Sequence, residues 1–287
     1  MAQRLQVSIT LSGLGRLFGT SLYGVVETAA AAEAAGIDQI AVPDHLAIGP
    51  RTDRYPYGRF PLPPDEPWLE PLVALGAIAG ATRRIRLATG VLIAPLRPAL
   101  LLAKALATLD VLSQGRLDVG VGIGWQPEEY AASGVPFEGR AARMDDQLRA
   151  CRALWSGAPA SFRSPTVHFD DLRCLPLPVQ PGGPPIWFGV APTAHNARRI
   201  AELGAGWLPI GGDLEEIARG AAALRRAFER AGRDPATLGV RANAPSPDAL
   251  PKLREAGVTI ASFALARWAS SRAELPALFE RLGALPR

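Results

Sequence analysis

Cysteine, histidine, lysine and long apolar runs are all scarce in this chain, and each scarcity removes a class of function. The two cysteines among 287 residues, Cys151 and Cys174, stand far apart with no CxxC pairing and no histidine at ligand spacing. Neither a disulfide framework nor a zinc site is signalled. Lys104 and Lys252 are the only lysines, and every other basic residue is an arginine scattered along the chain. A formal charge of +4 spread in that way lacks the basic stripe of a nucleic-acid binder, although a small anionic ligand remains possible. No apolar run approaches the roughly 18 residues of a membrane span, and the opening MAQRLQVSIT lacks a basic-then-apolar signal. The chain therefore reads as cytoplasmic, with neither a nucleic-acid nor a membrane partner. A GxSxG nucleophile elbow, an HExxH zinc motif and a triphosphate-binding P-loop are missing too, which leaves chemistry to an organic cofactor or to ordinary acid and base side chains.

What is present is a regular alternation. Hydrophobic residues make up 48% and charged residues 20%, enough apolar material for a sizeable interior and too little charge for disorder. Short apolar or β-branched runs at 6–10, 39–43, 85–91, 117–121, 185–190, 206–210, 238–242 and 258–265 are separated by helical patterns. This is the signature of repeated βα units on a parallel sheet, and eight such strands close a barrel of about 250 residues. The expected fold is α/β, a single (β/α)8 TIM-barrel domain over 1–287.

Helices are expected at 21–35, with Ser21 as cap and Gly36 at the left-handed end, and at 98–113, where Pro98 suits the first turn and Gly115 follows the last. A third, over 140–155, sets Met144, Leu148, Cys151 and Trp155 on one face and should lie on the barrel's outside. Two connections exceed the about 12 to 15 residues of an ordinary link. The first, 44–67, follows the second strand and belongs to the rim that builds active sites in barrels. The second, the insertion 157–184 before the fifth strand, is a candidate lid.

The rim carries the candidate chemistry. The second strand ends in Asp44-His45, a carboxylate beside the side chain most easily poised for proton transfer near neutrality, or else a capping Asp with a solvated neighbour. His168 and His195 sit in less promising places. The third strand ends in Thr89-Gly90-Val91. The fourth runs into Gly120, Gly122 and Gly124, where the chain passes close to something flat or simply packs tightly. A dinucleotide fingerprint fails there, because Pro127 interrupts the helix and no acidic residue ends the next strand. The fifth ends in Gly189-Val190-Ala191 with Thr193 before a helix, a turn suited to a phosphate or carboxylate, or an ordinary strand-to-helix turn.

Taken in order, PDHL, ATGV, SQGRLDVGVGIGW, GRAARMDDQLRACRALWSG and PPIWFGVAPTAHNARRIAELGAGW make the chain resemble the luciferase-like superfamily over about residues 5–210, and most of all its oxidoreductases that use the deazaflavin coenzyme F420. The resemblance implies a ring lying across the rim on a bulge at Thr89, Gly90 and Val91. It implies that Asp44 and His45 flank the reacting face, and that Gly122, Ile123, Gly124 and Trp125 run beside the ring. It also implies a phosphate at Gly189, Val190, Ala191 and Thr193, with Arg140 or Arg143 toward the anionic tail. The implied reaction is hydride transfer between the deazaflavin and a small organic substrate, with His45 moving the proton and Asp44 orienting it. The rival readings are an FMN-dependent monooxygenase using reduced flavin and oxygen, and a non-catalytic carrier of the same cofactor.

The family's sugar-phosphate dehydrogenases place a glutamate after the fourth-strand glycines and a tryptophan four residues beyond the DH histidine. Trp125 and Gly49 stand at those positions, which disfavours that substrate. Glu128 or Glu129 stands either as a replacement acid or as a surface residue. The family resemblance also implies a homodimer, for which the apolar helices at 69–81 and 99–112 are candidates. Aromatic residues Tyr55, Tyr57, Phe60, Trp68 and Trp125 near the rim point to an apolar or planar substrate.

Overall fold

Each of the eight apolar runs forms a strand in the computed structural model, which describes residues 4–286. The strands are β1 (Gln6–Thr10), β2 (Gln39–Val42), β3 (Arg86–Thr89), β4 (Leu92–Ile93), β5 (Leu117–Gly122), β6 (Ala160–Arg163), β7 (His168–Leu172), β8 (Ile186–Gly189), β9 (Gly206–Leu208), β10 (Gly239–Asn243) and β11 (Ile260–Ala264). Parallel pairing runs β1–β2–β3–β5–β8–β9–β10–β11 and returns from β11 to β1, so the ring closes with eight strands. This is the expected (β/α)8 barrel. The third run is divided: the Gly90–Val91 peptide is cis, and beyond it β4 resumes pairing on β5, Leu92 opposite Val121 and Ile93 opposite Gly122.

Alternation along each strand separates two environments. Val7, Ile9, Ile40, Leu87, Val119, Val121, Phe188, Val240 and Phe263 are buried against the surrounding helices. The opposite faces fill the lumen with polar groups bonded between strands that are not neighbours in the ring. Gln39 donates to Asp118 at 2.8 Å, and Arg241 donates to Gln39 at 3.1 Å. Trp187 occupies the same lumen. A Cβ at either Gly206 or Gly239 would lie 2.2 Å from its ring, so glycine at both positions makes room for the indole.

The helix Arg140–Leu154 lies outside the barrel as expected, with Met144, Leu148 and Cys151 fully or almost fully buried and Trp155 donating to Ala103 O at 3.1 Å. Burying each of the larger apolar side chains stabilises the fold by about 1.5–3 kcal/mol. The helix expected over 98–113 is Ala99–Leu112, preceded by Pro98 and followed by Gly115 at φ 77°.

Two expectations are corrected. The first long helix is Val25–Ala34 rather than 21–35, and Ser21 does not cap it. Leu22 at φ 52° and Gly24 at φ 93° are both left-handed, a conformation that a continuous right-handed helix excludes. The insertion 157–184 is not a lid. It follows the C-terminus of an outer helix and so returns at the N-terminal end of the strands, opposite the rim. It folds as the antiparallel hairpin β6–β7 along the outside of that helix, where Thr166 donates to Asp146 at 2.7 Å, and its continuation is tied down at the bottom of the barrel, where Gln180 bonds Asp110 at 2.7 Å and Leu117 O at 2.8 Å.

Candidate active site

The C-terminal ends of the strands open into a cleft of about 1600 Å³, larger than the usual roughly 300–1,000 Å³ of a small-molecule pocket. Its walls come from the segments following the barrel strands, including Ser12, Asp44, His45, Gly90, Val91, Gly122, Ile123, Gly124, Trp125, Gly189, Leu208, Asn243 and Ala264, with Arg140 at the side. The long loop after β2, from Arg54 to Trp68, is the largest single contributor to the rest.

That loop builds an aromatic box around His45. The imidazole meets Trp68 edge-on with centroids 4.8 Å apart, and Trp125 and Phe60 stand at 6.1 and 6.2 Å. Tyr55 joins Trp125 and Phe60, each at 5.3 Å. Burial raises the Tyr55 phenol above its ordinary range, and the neighbouring Tyr57 adds to the shift; burial also raises Tyr57, against the pull of Arg140. Both phenols therefore stay neutral hydrogen-bonding groups across the working pH range.

The carboxylate that positions His45 is Glu129, not Asp44. Glu129 Oε2 lies 3.2 Å from His45 Nδ1 and its side chain is wholly buried. Its other oxygen accepts the Leu46 N–H at 2.6 Å, so one carboxylate fixes both the ring and the backbone that carries it. Gln126, one turn earlier, accepts the Gly49 N–H at 2.6 Å. A Cβ at Gly49 would lie 3.0 Å from that amide oxygen, so a side chain there would crowd Gln126. Trp68, from the far end of the loop, stands against the imidazole.

Asp44 has different work. Its buried carboxylate takes Arg97 through both terminal nitrogens, at 2.6 and 3.1 Å, and the Ile93 N–H at 2.8 Å. Arg97 also reaches Glu70 at 2.7 Å. Burial acts to lower the Arg97 pKa, and Asp44 and Glu70 overcome it, leaving the guanidinium above its ordinary range. The group clasps the end of β2 to β4, and the orienting role expected for Asp44 falls geometrically to Glu129.

The remaining expected residues divide by place. Gly90, Val91, Gly122, Ile123, Gly124, Trp125, Arg140 and Gly189 line the cleft. Thr89 is buried beneath it, its hydroxyl donating to Gly120 O at 2.6 Å. Val190 is buried and accepts the Trp207 indole N–H at 2.7 Å, while Ala191 and Thr193 follow on the surface, Thr193 capping the helix Ala194–Leu203. Arg143 bonds Pro136 O at 2.8 Å and is half-buried. The glycines have close protein neighbours: a Cβ at Gly122 or Gly189 would lie 2.7 Å from Val91, and one at Gly120 would lie 2.3 Å from Thr89 O. They let the segment 89–91 sink between β5 and β8, which shapes the floor on which a flat ring can rest.

With this geometry in view, the relatives are informative. The profile of the luciferase-like monooxygenases matches residues 7–246. The chain belongs to this family. An uncharacterized protein of Mycobacterium tuberculosis is 37% identical over 88% of this chain and 91% of its own length. The F420-dependent hydroxymycolic acid dehydrogenase of the same organism is 33% identical over 76% of this chain and 57% of its own length. Among solved structures, an F420-dependent secondary alcohol dehydrogenase superposes with a TM-score of 0.76 at 16% identity, covering 98% of each chain, a likeness of fold alone. The family includes F420-dependent and FMN-dependent members, so a deazaflavin or flavin belongs to its chemistry. Among the described residues no cluster of His, Cys, Asp and Glu is arranged to hold a metal, and no helix is long and apolar enough to cross a membrane.

Sequence reasoning left Glu129 undecided and passed over Arg97 and Arg241. Glu129 and its neighbour Glu128 begin the same short helix, Pro127–Ala132, and nothing in the pair tells which one turns inward. Arg241 did carry a signal: an arginine between Val240 and Ala242 in a barrel strand must face the lumen.

Proposed function

We propose that the chain is an F420-dependent oxidoreductase that exchanges a hydride with a small organic substrate, with His45 handling the accompanying proton. The observation that carries this reading is the buried Glu129 against His45 Nδ1, 3.2 Å away, at the wall of the rim cleft. A hydrogen on Nδ1 given to the carboxylate leaves Nε2 as the base, the arrangement by which a carboxylate orients a catalytic imidazole. Substrate in the aromatic box gives its hydroxyl proton to His45 as its C–H hydrogen departs as hydride; in the reverse direction the imidazolium returns the proton.

The cleft fits such a cofactor. Its volume admits a tricyclic ring with its chain and a substrate beside it, the glycine-backed segment Gly90-Val91 offers a flat seat, and Gly122, Ile123 and Gly124 form an edge without bulky side chains. When bound, the deazaflavin supplies a ring carbon that takes or gives hydride. Arg140 would hold the anionic tail, and Gly189 with the following Val190, Ala191 and Thr193 would receive the phosphate. The 33% identical F420-dependent relative supports the deazaflavin over FMN, and the aromatic lining supports an apolar or planar substrate.

Equilibrium binding of F420 and FMN to the purified protein, at one salt and pH, tests the reading. Tight F420 binding with negligible FMN binding is expected. A preference for FMN, with oxygen uptake when the flavin is supplied reduced, overturns it in favour of the monooxygenase.

A further inference from the structure

Arg241 is a buried cation with no carboxylate partner among the described residues. It enters the barrel lumen from the middle of β10 and is 7% exposed. Among the described residues it donates to two neutral acceptors, Gln39 Oε1 at 3.1 Å and Thr89 O at 3.0 Å. The carboxylate that attracts it, Asp118, is already committed. Both Asp118 oxygens hold Arg86, at 2.6 and 2.8 Å, and one also takes Gln39. Among the described residues Arg241 forms no ion pair, in contrast to Arg86 and Arg97, which each engage a carboxylate. Burial lowers its pKa to about 10 and Asp118 opposes the shift, so the guanidinium keeps its charge at neutral pH.

The charge lies at the floor of the rim cleft. Arg241 is part of the cleft lining, and a Cβ at Gly90 would come 2.9 Å from one terminal nitrogen. Glycine at position 90 therefore leaves the edge of the guanidinium uncovered on the side where a ring would rest. A buried, uncompensated cation is costly, and a ligand that brings a planar anion to it removes that cost.

We propose that Arg241 is an anion-binding group for the reduced cofactor, pairing with the negative charge that the ring acquires when it accepts hydride. The proposal rests on the function proposed above. The electron count sets the charge. A substrate C–H bond breaks and its hydrogen leaves with both electrons to form a C–H bond on the ring; the substrate O–H proton goes to His45 and a carbonyl forms. The ring thereby gains one negative charge, spread over a nitrogen and a carbonyl oxygen of its pyrimidine edge. A guanidinium matches such an edge with two parallel N–H donors, and positive charge beside that edge tunes the cofactor. The reduced form therefore binds more tightly than the oxidised form.

Dissociation constants for oxidised and reduced F420, measured without substrate for the wild type and for Arg241→Gln and Arg241→Lys, test this. Arg241→Gln is expected to weaken binding of the reduced form roughly 10- to 100-fold more than the oxidised form, with Arg241→Lys between the two. Equal losses for both forms, or none, make Arg241 a strut of the lumen and overturn the proposal. An absorbance titration of reduced F420 on the wild type does not depend on how the variants fold. The bound ring is expected to lose its proton at a lower pH than the free ring, and an unshifted titration overturns the proposal. A wild type that binds no F420 in either state overturns this proposal and the F420 assignment together, whereas an unchanged reduced-to-oxidised ratio in both variants overturns this proposal alone.

Discussion

Two adjacent residues, Asp44 and His45, separate into structure and chemistry because each meets a different partner. Asp44 and Glu70 share Arg97, so Asp44→Ala leaves the buried guanidinium with Glu70 alone and the Ile93 N–H without its acceptor, and should cost about 1–3 kcal/mol, read as a lower midpoint in urea unfolding. His45→Ala should leave the melting temperature and F420 affinity nearly unchanged while turnover falls by about 10²–10⁴ in steady-state kinetics. Glu129→Gln keeps an oxygen for the Leu46 N–H and loses the charge beside His45. A roughly tenfold fall in kcat at unchanged F420 affinity is expected. The Asp44-His45 pair was legible in the sequence as a site, since a strand end in a barrel delivers both to the rim. Their division of labour was not, because Arg97 and Glu129 reach them only through the fold, from 53 and 84 residues away.

At the scale of elements, the rim depends on how closely β5 approaches the broken third strand. Gly120→Ala would set a methyl group 2.3 Å from Thr89 O. The expected result is a loss of about 1–3 kcal/mol in thermal or urea unfolding, together with weaker cofactor binding as 89–91 is displaced. A second junction joins the helix Val25–Ala34 to the start of β3, where Glu33 accepts the N–H groups of Arg83, Arg84 and Ile85 at 2.9, 2.6 and 2.8 Å. Burial alone would raise the Glu33 pKa, and these three donors outweigh it, holding the carboxyl below its ordinary range. Because the folded value lies below the unfolded one, its contribution is fully present above the ordinary carboxylate range and is lost as pH falls through the folded value. Glu33→Gln should therefore melt below the wild type at neutral pH, with the difference closing in acid. Strands and outer helices were readable because period-2 and period-3.6 patterns record which face is buried. The hairpin β6–β7 was not, since its faces are largely exposed and its sequence lacks a clean alternation.

For the whole molecule, the same burial logic extends to assembly. The helix Pro71–Ala81 contains no charged residue, and Val73 on it is 73% exposed; on the adjoining helix Ala99–Leu112, Leu101 is 59% exposed. We propose that a second copy of the chain covers these side chains, in keeping with the homodimer that the family resemblance implies. Sedimentation at micromolar concentration should show a dimer, and Val73→Asp with Leu101→Asp should shift it to monomer with the barrel intact by circular dichroism. By itself the sequence determined the barrel and the ring of segments at its rim, because strand and helix periodicities are local and eight βα repeats match the number that closes a barrel. The tertiary structure alone decided which buried charges meet. It set Glu129 against His45 and Arg97 against Asp44, and, among the described residues, left Arg241 without a carboxylate at the floor of the cleft. Those pairings depend on strand stagger and loop path across the closed barrel, distances that no local pattern encodes.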